Sequence, residues 1–130
     1  MNTKRSEFTL TYFQGKVWAI GGFNHSNDTD TWLDTIETFD ITKNKWKTSN
    51  LRLLTERSGH STVAYDKKLF VVGGDKKDSF LASVEVYSSE TNQFSFVASM
   101  NIPRCYFGCC VVNSSLYVIG GSLDYETPNR

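Results

Sequence analysis

The runs "KVWAIGG" at 16–22, "KLFVVGG" at 68–74 and "SSLYVIGG" at 114–121 write one apolar pattern and one glycine pair three times. The first glycines, Gly21, Gly73 and Gly120, are 52 and 47 residues apart, and Arg5, Arg57 and Arg104 each stand 16 positions before them. After the first two pairs come "IETFDITKNKW" (36–46) and "VEVYSSETNQF" (84–94), which align without a gap. Ile36 then matches Val84, Glu37 matches Glu85, Phe39 matches Tyr87 and Trp46 matches Phe94. An arginine, a glycine pair, a glutamate and an aromatic held in one phase define an internal repeat. The period varies mainly because the loop "FNHSNDTDTWLDT" is four residues longer than its counterpart, and loops are where repeats tolerate insertion.

Each unit reads as four short strands. In the second, "HSTVAY", "LFVVGG", "VEVYS" and "QFSFV" are separated by polar turns, and no segment keeps a 3.6-residue apolar period. "LFVV" and "LYVI" are continuously apolar, as in strands covered on both faces, whereas "VEVY" alternates. Repeated four-stranded sheets covered on both faces imply an all-β architecture of blades around an axis, a β-propeller, with essentially no helix.

Composition narrows the function. Fourteen Lys and Arg balance fourteen Asp and Glu, so there is no net basic footprint for nucleic acid or for an anionic membrane. No apolar run approaches a membrane span, and polar residues interrupt the N-terminal stretch where a signal peptide needs its apolar core. The expectation is an intracellular, cytoplasmic protein. Cys105, Cys109 and Cys110 lie within six residues without zinc-site spacing, and read as reduced residues rather than a disulfide framework. His25 and His60 stand alone, no hydrolase or nucleotide motif is present, and no cofactor, metal or small-molecule ligand is expected. The glycine pairs lack a following Lys-Ser/Thr and a helix, so they read as backbone positions of close approach rather than phosphate loops.

An apolar run ending in Gly-Gly, then Val/Ile-Glu-x-Tyr/Phe, then Trp or Phe seven residues later, resembles the kelch repeat, whose period is about 50 residues. The resemblance covers residues 5–121 and departs at Phe94, where the family usually has Trp, and at Ser88, which stands where the first unit has Asp40. It implies repeats at 5–47 and 57–97 and a partial repeat at 104–130: two four-stranded blades and half of a third. Kelch propellers resemble closed rings of several blades, so the reading is a fragment of a longer ring. Gly21, Gly22, Gly73, Gly74, Gly120, Gly121, Glu37, Glu85, Trp46 and Phe94 are expected to be structural, with the glutamates in ion pairs or backbone hydrogen bonds.

The resemblance also implies a protein-interaction module, not an enzyme. The leading expectation is the substrate-recognition part of a kelch-like adaptor for a cullin-3 ubiquitin ligase, binding a ligase substrate. The alternative is an actin-binding cytoskeletal scaffold. A kelch-propeller enzyme of the galactose oxidase or sialic-acid epimerase kind is the remaining reading. By the same resemblance, the loop opening each blade and the residue after Gly-Gly line the partner face, which selects Arg57, Ser58, Arg104, Tyr106, Phe23, Asp75 and Ser122. For Arg57 and Arg104 a second reading stays open: every blade needs an arginine for its own packing.

Overall fold

A computed structural model describes residues 1–123. The first repeat folds as β1 (Thr9–Phe13), β2 (Lys16–Ile20), β3 (Phe23–Ser26), β4 (Thr29–Trp32), β5 (Thr35–Asp40) and β6 (Lys45–Arg52). The second folds as β7 (Ser61–Tyr65), β8 (Lys68–Val72), β9 (Asp75–Lys76), β10 (Ser79–Phe80), β11 (Val84–Ser88) and β12 (Gln93–Val97). The third contributes β13 (Gly108–Val112) and β14 (Ser115–Ile119). Two antiparallel sheets result, ordered β1-β2-β5-β6 and β7-β8-β11-β12, followed by the β13-β14 hairpin. The described residues are all-β and leave the ring open, since β14 pairs only with β13.

Local chemistry accounts for this layout. The first hairpin of every repeat turns through two residues with positive φ: Gln14-Gly15, Asp66-Lys67 and Asn113-Ser114. Such turns match the right-handed twist of the strands they join. The second strand ends where Gly73 and Gly74 take φ of 56° and 97°, a region that side chains disfavour. A Cβ on Gly74 would lie 2.4 Å from the Ser58 carbonyl oxygen, so the pair lets two strands of backbone meet.

The loops after the first two glycine pairs are more ordered than their polar sequences suggest. Residues 23–32 form the hairpin β3-β4, turned by Asn27-Asp28 at φ of 51° and 58°, and β9-β10 is its shorter counterpart.

The cores lie between blades rather than within them. Phe13, Trp18, Ile20 and Ile36 of the first sheet and Leu53 just beyond it pack on Leu69, Val71 and Tyr87 of the second. Val72 and Val84 then pack on Phe107, with Phe70, Met100, Leu116 and Val118 alongside. Ile20, Ile36, Leu69 and Val71 are fully buried, each contributing about 1.5–3 kcal/mol. The continuous apolar run is therefore covered on both faces in the second repeat. In the third it is not: Tyr117 is 50% and Ile119 68% exposed. Trp46 and Phe94 stack on Phe39 and Tyr87 at centroid distances of 5.2 and 5.4 Å, each beside its cross-strand partner.

Candidate partner-binding face

The repeating arginine organises the inner end of each blade. Arg57 enters from the segment between β6 and β7, and its guanidinium donates to the Gly73 carbonyl at 2.7 Å and the Ser83 carbonyl at 3.2 Å. It also donates to Ser83 Oγ at 3.1 Å and Glu85 Oε1 at 2.6 Å, with both charged side chains fully buried. Glu85 in turn accepts the backbone N–H groups of Leu54 and Thr55 at 2.7 and 3.0 Å. Burial pulls the Arg57 guanidinium down from its ordinary value, and the Glu85 charge opposes that fall.

Arg5 repeats the pattern with Gly21, Thr35 and Glu37, and Arg104 donates to the Gly120 carbonyl at 2.6 Å. Burial works to raise the Glu37 carboxyl, but N–H groups of Asn2 and Thr3 and the Arg5 guanidinium hold it below the usual carboxylate range. Such a buried pair depends on its remaining hydrogen bonds: every nitrogen of the Arg57 guanidinium finds an acceptor, whereas the buried Arg5 Nε has none.

The residue after each arginine pairs with the residue after each glycine pair. Backbone bridges join Ser6 to Phe23, Ser58 to Asp75 and Cys105 to Ser122. One position further on, Glu7, Gly59 and Tyr106 all take left-handed φ of 53–56°. The Gly59 N–H donates to the Glu7 carbonyl at 2.9 Å, and the Tyr106 N–H donates to the Gly59 carbonyl at 2.8 Å. A ladder of single bonds thus runs from blade to blade at the inner end. Tyr106 Oη closes across it, donating to Glu7 Oε2 at 2.7 Å. Burial and that carboxylate both push the Tyr106 phenol above its ordinary value.

This geometry sorts the residues selected from sequence. Arg57, Ser58 and Asp75 are 0%, 1% and 6% exposed and shape the face from beneath. Ser58 Oγ donates to Asp75 Oδ1 at 2.7 Å, while the Trp32 indole N–H reaches Asp75 Oδ2 at 3.1 Å. Tyr106 is 59% exposed, and Phe23, Arg104 and Ser122 are partly exposed. Phe23 stacks edge-on against Trp32 at 5.2 Å. Glu7 and Trp32 join the face without having been singled out. The repeat phase contained the signal for Glu7, because it occupies the register of Gly59 and Tyr106.

Elsewhere, the polar chemistry is local. His25 Nδ1 lies 2.6 Å from Asp30 Oδ1 on the exposed β3-β4 hairpin, a pairing set by the register of the two strands. His60 is buried between blades with Nε2 3.0 Å from Thr9 Oγ1, and burial pushes its pKa down to about 3, aided by Arg57. Among the described residues no group of three His, Cys, Asp or Glu side chains is placed to hold a metal ion. No helix among them is long and apolar enough to cross a membrane.

Comparison with known proteins agrees with this architecture. Residues 1–125 match the family model described as the KLHDC2/KLHL20/DRC7 Kelch-repeats domain. Beta-scruin of Limulus polyphemus is 32% identical over 97% of the chain and 14% of its own length. Kelch-like protein 26 of Danio rerio is 30% identical over 96% of the chain and 20% of its own length. The human Influenza virus NS1A-binding protein is 41% identical over 51% of the chain and 10% of its own length. The chain therefore spans less than a quarter of each of these relatives. The solved structure of YjhT superposes with a TM-score of 0.80 at 15% identity, covering 92% of this chain and 46% of that one, a likeness of fold. With the repeat residues in place and the family domain matched over residues 1–125, this chain belongs to the kelch-repeat family.

Proposed function

We propose that this chain serves as part of the substrate-recognition propeller of a kelch-like adaptor for a cullin-3 ubiquitin ligase. The supporting observation is the division of labour at the inner end of the blades. The recurring charged groups, Arg104 among them, are turned to the backbone of their own blades, while Tyr106 and Phe23, which do not repeat, reach the surface, Tyr106 against Glu7. A partly exposed aromatic surface on a rigid base suits a protein hot spot better than a reaction centre. Similarity to Kelch-like protein 26 across 96% of the chain favours the adaptor reading. Similarity to Beta-scruin keeps the cytoskeletal scaffold, with actin as partner, as the second reading.

The experiment is purification of the full-length parent protein with and without Tyr106→Ala and Phe23→Ala. The adaptor reading expects cullin-3 to co-purify with both forms, and a ubiquitylated substrate to be lost only from the variant. Co-sedimentation with filamentous actin without cullin-3 would transfer the assignment to the scaffold.

A further inference from the structure

The outer half of the first blade carries a lysine-lined groove that its repeat does not require. Cross-strand register places Lys16, Asp40 and Lys45 in one row on the face turned to the second blade, and Trp18, Thr38 and Lys47 in the next. Two cavities open there, of about 280 and 380 Å³, and they share Lys16, Thr38 and Lys47. Tyr87 and Asn92 of the second blade contribute to the first, and Lys43 and Lys45 to the second. Four ammonium groups thus surround one carboxylate. Asp40 has Lys43 within 3.7 Å, whereas Lys16, Lys45 and Lys47 form no ion pair among the described residues.

The repeat supplies its own control. The same two rows in the second blade read Lys68, Ser88, Gln93 and Phe70, Val86, Ser95. Lysines on an outer strand can serve merely to discourage edge pairing. Edge protection does not account for Lys16, which stands on the interior strand β2, and the outer strand β12 of the next blade reads "QFSFV" without a lysine. The cationic rows are a property of one blade in a chain with no net charge.

We infer that this groove binds an extended acidic peptide segment, with Lys16, Lys45 and Lys47 facing its carboxylates. β6 is the outermost strand of its sheet, and its regular stretch Lys45 to Thr48 pairs with β5 on one side only, so its free edge can accept an extended backbone alongside the lysines. Lys16 and Lys47 line the cavity walled by Tyr87 and Asn92 of the second blade, and Lys45 extends the charge along β6, a short linear array that fits an extended peptide better than a nucleic-acid backbone. The site lies on the blade's outer rim and does not involve Tyr106 or Glu7.

The test is fluorescence anisotropy of a labelled oligo-glutamate peptide titrated with the full chain at low and high salt. The triple variant Lys16→Gln/Lys45→Gln/Lys47→Gln should weaken binding about tenfold, since each exposed pair contributes modestly and the three act together. Asp40→Asn, which removes the groove's one carboxylate, should tighten it about twofold, and added salt should abolish it. Lys4→Gln/Lys67→Gln/Lys68→Gln removes the same charge elsewhere and should leave affinity unchanged. Circular dichroism melts of each variant verify the fold. Equal weakening by both triple variants would overturn the site. A single-stranded oligonucleotide that binds more tightly than the peptide and depends on the same three lysines would overturn the assigned partner.

Discussion

Replacing Glu85 by Gln removes one charge from the centre of the second blade and tests the structural reading of the repeating Arg-Glu pair. Glu85 Oε2 accepts Leu54 N–H, and Oε1 accepts both Thr55 N–H and Arg57 Nη2. A glutamine oxygen at the Oε1 site keeps two of those bonds but turns an amide donor toward Leu54 N–H. One donor, partly buried, loses its acceptor, costing about 1–3 kcal/mol. The Arg57 guanidinium, fully buried, loses its counter-charge as well. Together the loss should be about 3–5 kcal/mol, the range for breaking one side of a buried pair.

Urea denaturation followed by fluorescence reads this directly, because Trp18 is 6% exposed and packs 5.3 Å from Tyr87 across the blade interface. The midpoint should fall at unchanged slope. Arg57→Met should cost a similar amount, and the two changes combined should lose less than their sum by about 2 kcal/mol. A loss under about 1 kcal/mol for Glu85→Gln, or strict additivity, would refute the coupling.

Three further outcomes follow from the same geometry. His60 has a pKa of about 3 in the fold against 6.5 when exposed, so the unfolded chain binds the additional proton between those values. Its contribution is complete above pH 6.5 and is lost toward pH 3 at about 1.4 kcal/mol per unit; His60→Phe, the residue found at equivalent positions 8 and 107, should flatten that slope in a pH series of melts. Gly74→Ala sets a Cβ 2.4 Å from the Ser58 carbonyl and should prevent soluble folding, whereas Gly15→Ala, with open space at φ 75°, should cost only about 1–2 kcal/mol in the same denaturation assay. Timed alkylation read by mass spectrometry should label exposed Cys110 first and Cys105 last, because Cys105 is fully buried and its thiol is pushed up to about 11.

Much of the blade is legible in the sequence because the repeat compares positions with one another. Arg57, Gly73 and Glu85 recur in phase with Arg5, Gly21 and Glu37, and the structure joins each set through one guanidinium. Phase alone does not say whether that arginine faces a partner or its own blade. Its complete burial comes from the neighbouring backbone, which no single strand pattern encodes. The hairpin β3-β4 escaped recognition for another reason. Its residues from His25 to Thr31 are exposed, so neither strand face carries an apolar alternation to read. Contacts such as Tyr106 to Glu7, 99 residues apart, and Trp32 to Asp75, 43 apart, depend on how successive blades are rotated, which pairwise strand signals leave open.

The stitches between blades bear on how such a chain is made. The Gly22 N–H donates to the Arg57 carbonyl at 2.8 Å, and the Gly74 N–H donates to the Arg104 carbonyl at 2.9 Å. Each blade therefore emerges from the ribosome with a glycine donor whose acceptor is not yet synthesised. Gly22 waits 35 residues for Arg57, roughly 2–7 s at ordinary translation rates. During that interval Trp18, Ile20 and Ile36 have no second blade to cover them. Nascent propellers of this design mature one blade behind synthesis, each blade waiting for the next to cover its apolar face.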